Sequence, residues 1–167
     1  MKKIIVRGIV TMSAVYIIGC VLLYFWQEKL IFRPHKLDVN YVFRFSQPFE
    51  ELNLKTDDGE MLNGLLFKSD SSRGLIFYLH GNGGTVASWG SVAKVYTDLH
   101  YDVFFIDYRG YGKSTGNIQS QSQLFHDNQI AYDFLKTKYD EAKIIVLGYS
   151  IGTGWLRNWH QKIILDY

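Results

Sequence analysis

At 167 residues the chain holds one domain of ordinary size, large enough for a real core and with no room for a second. Its net charge is +2 with acids and bases interspersed, which leaves no electrostatic footprint for nucleic acid and excludes that class. The single cysteine, Cys20, cannot form an internal disulfide, so thiol usage is silent on redox compartment.

Much of the apolar content sits at the start of the chain. Gly8 to Gln27 carries no charge, and a helix of about 20 residues, rising roughly 1.5 Å per residue, crosses a hydrocarbon core of about 30 Å. Lys2, Lys3 and Arg7 precede this run, and Tyr24, Phe25 and Trp26 close it as an interfacial aromatic belt. The pattern predicts a single-pass membrane anchor over residues 1–27, with the N-terminus cytoplasmic and the rest of the chain on the far side. Two other readings suit parts of the same run. A cleaved signal peptide shares the basic start, but the apolar stretch is long for one and ends without a small-x-small site. Ile17-Ile18-Gly19-Cys20 resembles a lipobox, yet the chain after Cys20 stays apolar where a lipidated end turns polar.

Residues 28–48, with breaks at Pro34 and Pro48, form a connector, and a domain over residues 49–167 follows. Phe49 to Thr56 alternates apolar and polar, Asp57-Asp58-Gly59 supplies turn chemistry, and Met61 to Lys68 is apolar again, which predicts a β-hairpin. Gly74 to His80 and Val103 to Asp107 are continuous apolar runs suited to strands covered on both faces. Val86 to Leu99 has helical spacing, as does Gln119 to Tyr139, and Lys143 to Leu147 reads as a further strand. This alternation predicts an α/β fold: an N-terminal hairpin, then a mostly parallel sheet with helices on both faces.

Three groups of residues fall at predicted strand ends, where open α/β sheets place their ligand sites. Gly148-Tyr149-Ser150-Ile151-Gly152 fits Gly-x-Ser-x-Gly directly after a strand, the setting in which a sharp strand-to-helix turn exposes a nucleophilic serine. Gly148 and Gly152 suit a reversal too tight for side chains. His80-Gly81-Asn82-Gly83-Gly84 can turn backbone N–H groups inward and, with the Ile151 N–H, build a hole for a tetrahedral oxyanion. Asp107-Tyr108-Arg109-Gly110 onward either borders a substrate cleft through Tyr108 or Arg109, or forms a rigid turn in which Asp107 accepts backbone or Arg109 hydrogen bonds.

Taken together and in this order, His80-Gly-Asn-Gly, Asp107-Tyr-Arg-Gly-Tyr-Gly-Lys-Ser and Gly148-Tyr-Ser-Ile-Gly-Thr-Gly resemble the α/β-hydrolase superfamily, specifically the membrane-anchored Bem46-like serine hydrolases related to the serine aminopeptidase S33 group. The resemblance implies Ser150 as nucleophile and the amides of Ile151 and of Asn82 or Gly83 as oxyanion donors. It also implies hydrolysis of ester, thioester or amide bonds in a small acyl or peptide-like substrate, without metal or organic cofactor.

Such a nucleophile needs a histidine base and an orienting acid that arrive later in the chain. Only seventeen residues follow Ser150. His160, ten positions on, would lie about 15 Å away along a helix, out of reach. His80 is expected to shape the oxyanion loop, His100 and His126 to serve elsewhere, and Asp166 could only orient a base. The resemblance also calls for a longer helix before Lys162. The expectation is a truncated hydrolase, an incomplete α/β-hydrolase fold with little turnover alone and an apolar sheet edge open to self-association. A non-catalytic membrane-tethered binding module and a non-functional product are the alternatives.

Overall fold

The computed structural model describes residues 2–158 and 162–165. Contacts divide the chain between Phe32 and Arg33. The first part is one helix, α1 (Lys2–Ile31), with a span-length segment over Lys2–Gln27 of mean hydropathy 2.1 that is not buried in the protein. It is long and apolar enough to cross a bilayer, and it continues helically past the aromatic belt.

The second part is built on one six-stranded sheet. β1 (Phe49–Lys55) and β2 (Met61–Phe67) form the hairpin, in a register that pairs Phe49 with Phe67 and Lys55 with Met61. β2 then runs antiparallel to β4 (Asp102–Ile106), and from there β3 (Leu75–Leu79), β5 (Ile144–Tyr149) and β6 (Lys162–Leu165) continue parallel, giving the order β1-β2-β4-β3-β5-β6. The hairpin followed by a mostly parallel sheet is the predicted α/β arrangement.

Strand side chains alternate faces, so one run of apolar residues serves two cores. Ile76, Tyr78, Val103, Phe105, Leu65 and Phe67 pack with Val86 and Ala93 on one face. Phe77 and Phe104 stack on the other, where Phe77 meets Trp155 and Trp155 meets Tyr132 of α4 (Gln121–Lys136). Both faces are therefore covered, which is why the strands read as continuous hydrophobic runs. The Ser120 hydroxyl caps α4 by accepting the Gln123 N–H.

Two helical expectations change on contact with tertiary packing. The segment from Val86 is not one helix but α2 (Val86–Trp89), a 3-10 turn over Gly90–Val92 and α3 (Ala93–Thr97). The break comes at Gly90, where an added Cβ would crowd the Phe45 ring at 2.6 Å and the Phe67 ring at 3.0 Å, so the backbone lies directly on aromatic side chains there. After β5 the chain winds as a 3-10 helix, Ser150–Asn158, instead of an α-helix. A 3-10 helix rises about 2.0 Å per residue against about 1.5 Å, so it covers more of the return to a parallel neighbour with few residues. Thr153 Oγ1 donates to the Ser150 carbonyl at 2.7 Å within it.

Residues 33–45 lie as a strap along the domain. Lys36 bridges Gly112, with the Gly112 N–H donating to the His35 carbonyl at 2.8 Å and the Leu37 N–H to the Gly112 carbonyl at 2.9 Å. Leu37, Phe43 and Phe45 turn into the core.

One buried cation pins the hairpin turn to α4. The Arg109 side chain, 5% exposed, donates Nε and Nη2 to Asp127 at 2.6 and 2.8 Å, and Nη1 and Nη2 to Asp58 at 2.6 and 2.9 Å. The Arg109 guanidinium, helped by the Thr56 hydroxyl, holds the Asp58 carboxyl well below the usual carboxylate range. A depressed folded value means that this contribution to stability is fully present above about pH 4, the unfolded value, and is lost as acid titrates through the folded one. Asp58→Asn is accordingly expected to flatten the acid limb of a thermal-melt series. Arg109→Met strands Asp127 without its partner and should lower unfolding free energy by about 3–5 kcal/mol in denaturant titrations.

Candidate active site

β3, β4 and β5 are parallel and end side by side at Leu79, Ile106 and Tyr149. The three motif loops therefore emerge together at one edge of the sheet, the position that parallel topology reserves for ligands. Ser150 is exposed and its φ is +52°, a left-handed conformation rare for a residue with a side chain. Neighbouring glycines make that turn possible. A Cβ on Gly148 would stand 2.5 Å from the Gly152 carbonyl oxygen, and one on Gly152 would collide with the Leu79 carbonyl at the end of β3. The elbow is thus pressed directly onto the neighbouring strand.

The His80–Gly84 loop meets the elbow through Gly81, where an added Cβ would lie 2.9 Å from the Tyr149 ring and 3.6 Å from Ser150 Cβ. Asn82 and Gly83 follow immediately, and Ile151 follows Ser150, so the four residues expected to form a nucleophile and its oxyanion donors are drawn from two abutting loops. The Asn82 side chain is held: its Oδ1 accepts the Tyr111 hydroxyl at 2.6 Å and the Arg33 N–H at 3.1 Å. Burial, against the Arg33 N–H and with Asp107, pushes the Tyr111 phenol up to about 12, so at neutral pH it keeps the proton it donates. The Gly83 carbonyl accepts Trp89 Nε1–H at 2.8 Å, and the Thr85 and Ser88 side chains cap the start of α2 beyond it.

His80 is fully buried beneath this loop. Its Nδ1 lies 2.6 Å from the Gly81 carbonyl, which can only accept, so Nδ1 carries the proton. Its Nε2 stands 3.3 Å from Asp107 Oδ1, a long contact without hydrogen-bond alignment, and the same Oδ1 takes the Val86 N–H at 2.9 Å. Burial raises the Asp107 carboxyl, with His80 and the Val86 N–H working against it. Tyr108 donates its hydroxyl to the His80 carbonyl at 2.7 Å, and Arg109 is committed to its two carboxylates. Both Tyr108 and Arg109 are buried and turn away from solvent. Asp107 and Arg109 do not meet each other in any hydrogen bond; Asp107 instead receives backbone and loop contacts.

No histidine ring among the described residues hydrogen-bonds to Ser150. His100 contacts the Ser71 hydroxyl at 2.9 Å and His126 contacts Asp57 at 2.8 Å. His160 and Asp166 lie outside the described residues. Among the described residues, no three His, Cys, Asp or Glu side chains gather as a metal site would require. Sequence reasoning missed the Tyr111 and Arg33 clamp on Asn82, the Trp89 contact to Gly83, and the Asp58 and Asp127 partners of Arg109. Tyr111 lay inside a motif already singled out; the others carry no local signal.

Residues 70–164 match the family model described as serine aminopeptidase, S33. The chain belongs to this family of α/β-hydrolases. Among curated proteins this S33-family chain is 34% identical over 150 residues to the Bem46 protein of Schizosaccharomyces pombe, covering 83% of the chain and 50% of that protein. It is 30% identical over 145 residues to a lysophosphatidylserine lipase of Xenopus tropicalis, covering 78% of the chain and 37% of the lipase. An esterase structure from Pyrococcus furiosus superposes with a TM-score of 0.62 at 21% identity over 79% of this chain and 54% of its own, a likeness of fold. The S33-family chain thus spans half or less of the length of these curated relatives.

The left-handed serine gives a sharp expectation. Relative to Ser150→Ala, Ser150→Gly should be more stable by about 1 kcal/mol in denaturant unfolding, because glycine relieves the positive φ. Gly152→Ala, which drives a methyl group onto the Leu79 carbonyl, should cost about 1–3 kcal/mol or more by the same measurement.

Proposed function

We propose that this chain carries the nucleophile and oxyanion cradle of a serine hydrolase that acts on an acyl ester, thioester or amide. The observation that carries the reading is Ser150, exposed at φ +52° with the Gly81 loop 3.6 Å from its side chain by the measure of an added Cβ. In this reading Ser150 Oγ attacks the substrate carbonyl carbon while its proton passes to a general base. The carbonyl π electrons move onto oxygen, and the oxyanion is met by the N–H groups of Ile151 and of Asn82 or Gly83. Collapse expels the leaving group with that proton and leaves an acyl-serine, which water then hydrolyses by the same sequence. His80, Asp107, Tyr108 and Tyr111 act by holding the cradle in shape.

The relative named as a lysophosphatidylserine lipase favours an ester of an acyl chain as substrate, and α1 favours a membrane setting for it. With α1 as a span, Lys2, Lys3 and Arg7 before it favour a cytoplasmic N-terminus with the domain on the far side, against the smaller pull of Lys29, Arg33 and Lys36 after it.

A base must take the Ser150 proton, and the rings of His80, His100 and His126 are engaged with the Gly81 carbonyl, the Ser71 hydroxyl and Asp57 instead. The test uses purified chain in detergent with a fluorophosphonate probe, followed by peptide mapping. Added imidazole, standing in for the base, is expected to raise labelling at Ser150 by about ten-fold, less than the hundred- to ten-thousand-fold that a positioned base supplies because free imidazole is not held in place. Ser150→Ala should abolish that labelling. Fast labelling without imidazole would show a base already in place, and labelling that survives Ser150→Ala would overturn Ser150 as the nucleophile.

A further inference from the structure

Two valines stand out among the exposed apolar side chains of the domain, ahead of Val95 and Leu99. Among the described residues from Arg33 onward, Val39 at 77% and Val42 at 69% are the most exposed large apolar side chains, with Tyr41 exposed between them. They project from a turn that is built: Asp38 Oδ1 accepts the Asn40 N–H at 2.8 Å, and the Asp38 carbonyl accepts the Tyr41 N–H at 2.9 Å. On either side the strap is fixed inward by Leu37, Phe43 and Phe45 and by the Lys36–Gly112 bridge. With those residues facing the core, Val39 and Val42 turn outward, and Tyr41 lies half-covered beside them with its ring edge-to-face on Phe43.

The surroundings of this tip say what would cover it. Arg33, Lys36 and Arg44 are all exposed, and among the described residues none of them forms an ion pair. The acid among them, Asp38, is occupied in the turn. Aliphatic groups and a tyrosine ringed by uncompensated cations match a bilayer interface with anionic headgroups, where apolar tips enter the acyl boundary and basic residues meet phosphate. Chain length permits it, since the extended path from Phe32 to Val39 reaches at most about 25 Å.

We propose that the Val39–Val42 tip is a second membrane contact, inserting shallowly into the surface of a bilayer that contains anionic phospholipid. The proposal rests on α1 being a membrane span and is independent of any chemistry at Ser150. It gives the domain a preferred face toward the lipid in place of a free tether.

The experiment uses the full chain with Cys20→Ser and either Val42→Cys or, as a control on the exposed start of α4, Ser122→Cys, each labelled with an environment-sensitive fluorophore. Each is reconstituted in vesicles of phosphatidylcholine with phosphatidylserine that carry a nitroxide quencher near the headgroups. The position-42 probe is expected to be quenched about three-fold more than the position-122 probe, as for an interfacial segment. The difference should shrink in phosphatidylcholine alone and with Lys36→Glu and Arg44→Glu combined. Equal quenching at the two positions in vesicles that retain the chain through alkaline extraction overturns the proposal and leaves the span intact. Loss of the chain from the vesicles in alkali overturns the span and the proposal with it. Position-42 quenching that instead follows protein density, with cross-links between copies, assigns the tip to self-association and overturns the proposal as well.

Discussion

Everything at the candidate site depends on how closely β5 and β3 let the chain reverse at Ser150. A serine held at φ +52° sits in a conformation that L-residues avoid, at a cost on the order of 1–2 kcal/mol. The turn persists because its neighbours leave no other path: Gly148 touches the returning Gly152 backbone, and Gly152 rests on the last carbonyl of β3. The same closeness brings the loop after β3 against the elbow through Gly81. One steric constraint therefore exposes Ser150 and brings the loop after β3 against it, before any side chain contributes.

Side chains then stiffen what the backbone has arranged. The loop after β4 lies beneath the loop after β3, with the Tyr108 hydroxyl on the His80 carbonyl and the Asp107 carboxylate on the first N–H of α2. Asp107 also fills the space against Gly112, where an added Cβ would run into its carboxylate, so the second motif reads as a scaffold packed to contact. Its outer end is closed by Arg109, which gathers Asp58 from the hairpin turn and Asp127 from α4. Buried charge of this kind is neutralised by pairing and hydrogen bonding. It gives the loop a defined position that a wholly apolar contact would leave to shape alone.

Local chemistry was legible in the sequence wherever it had a short period or a strict backbone demand. Alternation flanking Asp57-Asp58-Gly59 disclosed the hairpin, continuous apolar runs disclosed strands covered on both faces, and the glycine spacing around Ser150 disclosed the turn. Legibility ended where a residue's partner lies far along the chain. Arg33 and Asn82 are 49 positions apart, and Arg109 and Asp58 are 51, so no window of sequence contains either pair. The helical spacing after Val86 was a real signal overridden by packing, because Gly90 must lie against aromatic rings of the strap and of β2. The 3-10 winding after Ser150 is likewise decided by the distance between strand ends, which propensity does not encode.

The strap joins the membrane question to the site. Residue 33, the first of the domain part, already spends its N–H on Asn82, and residues 35 and 37 pair with Gly112. The polypeptide thus enters the domain through the two loops that brace the elbow, and not at the far end of the sheet. Within the domain the strap thereby holds the loop after β3 through Asn82. Asn82 accepts from both Arg33 and Tyr111, and the Arg33 N–H also reaches the Tyr111 hydroxyl, so strap and both loops share one hydrogen-bonded cluster. The hydrogen-bonded strap is therefore part of the candidate site's architecture, placed by sequence between an apolar helix and an α/β-hydrolase fold that composition alone would treat as separate.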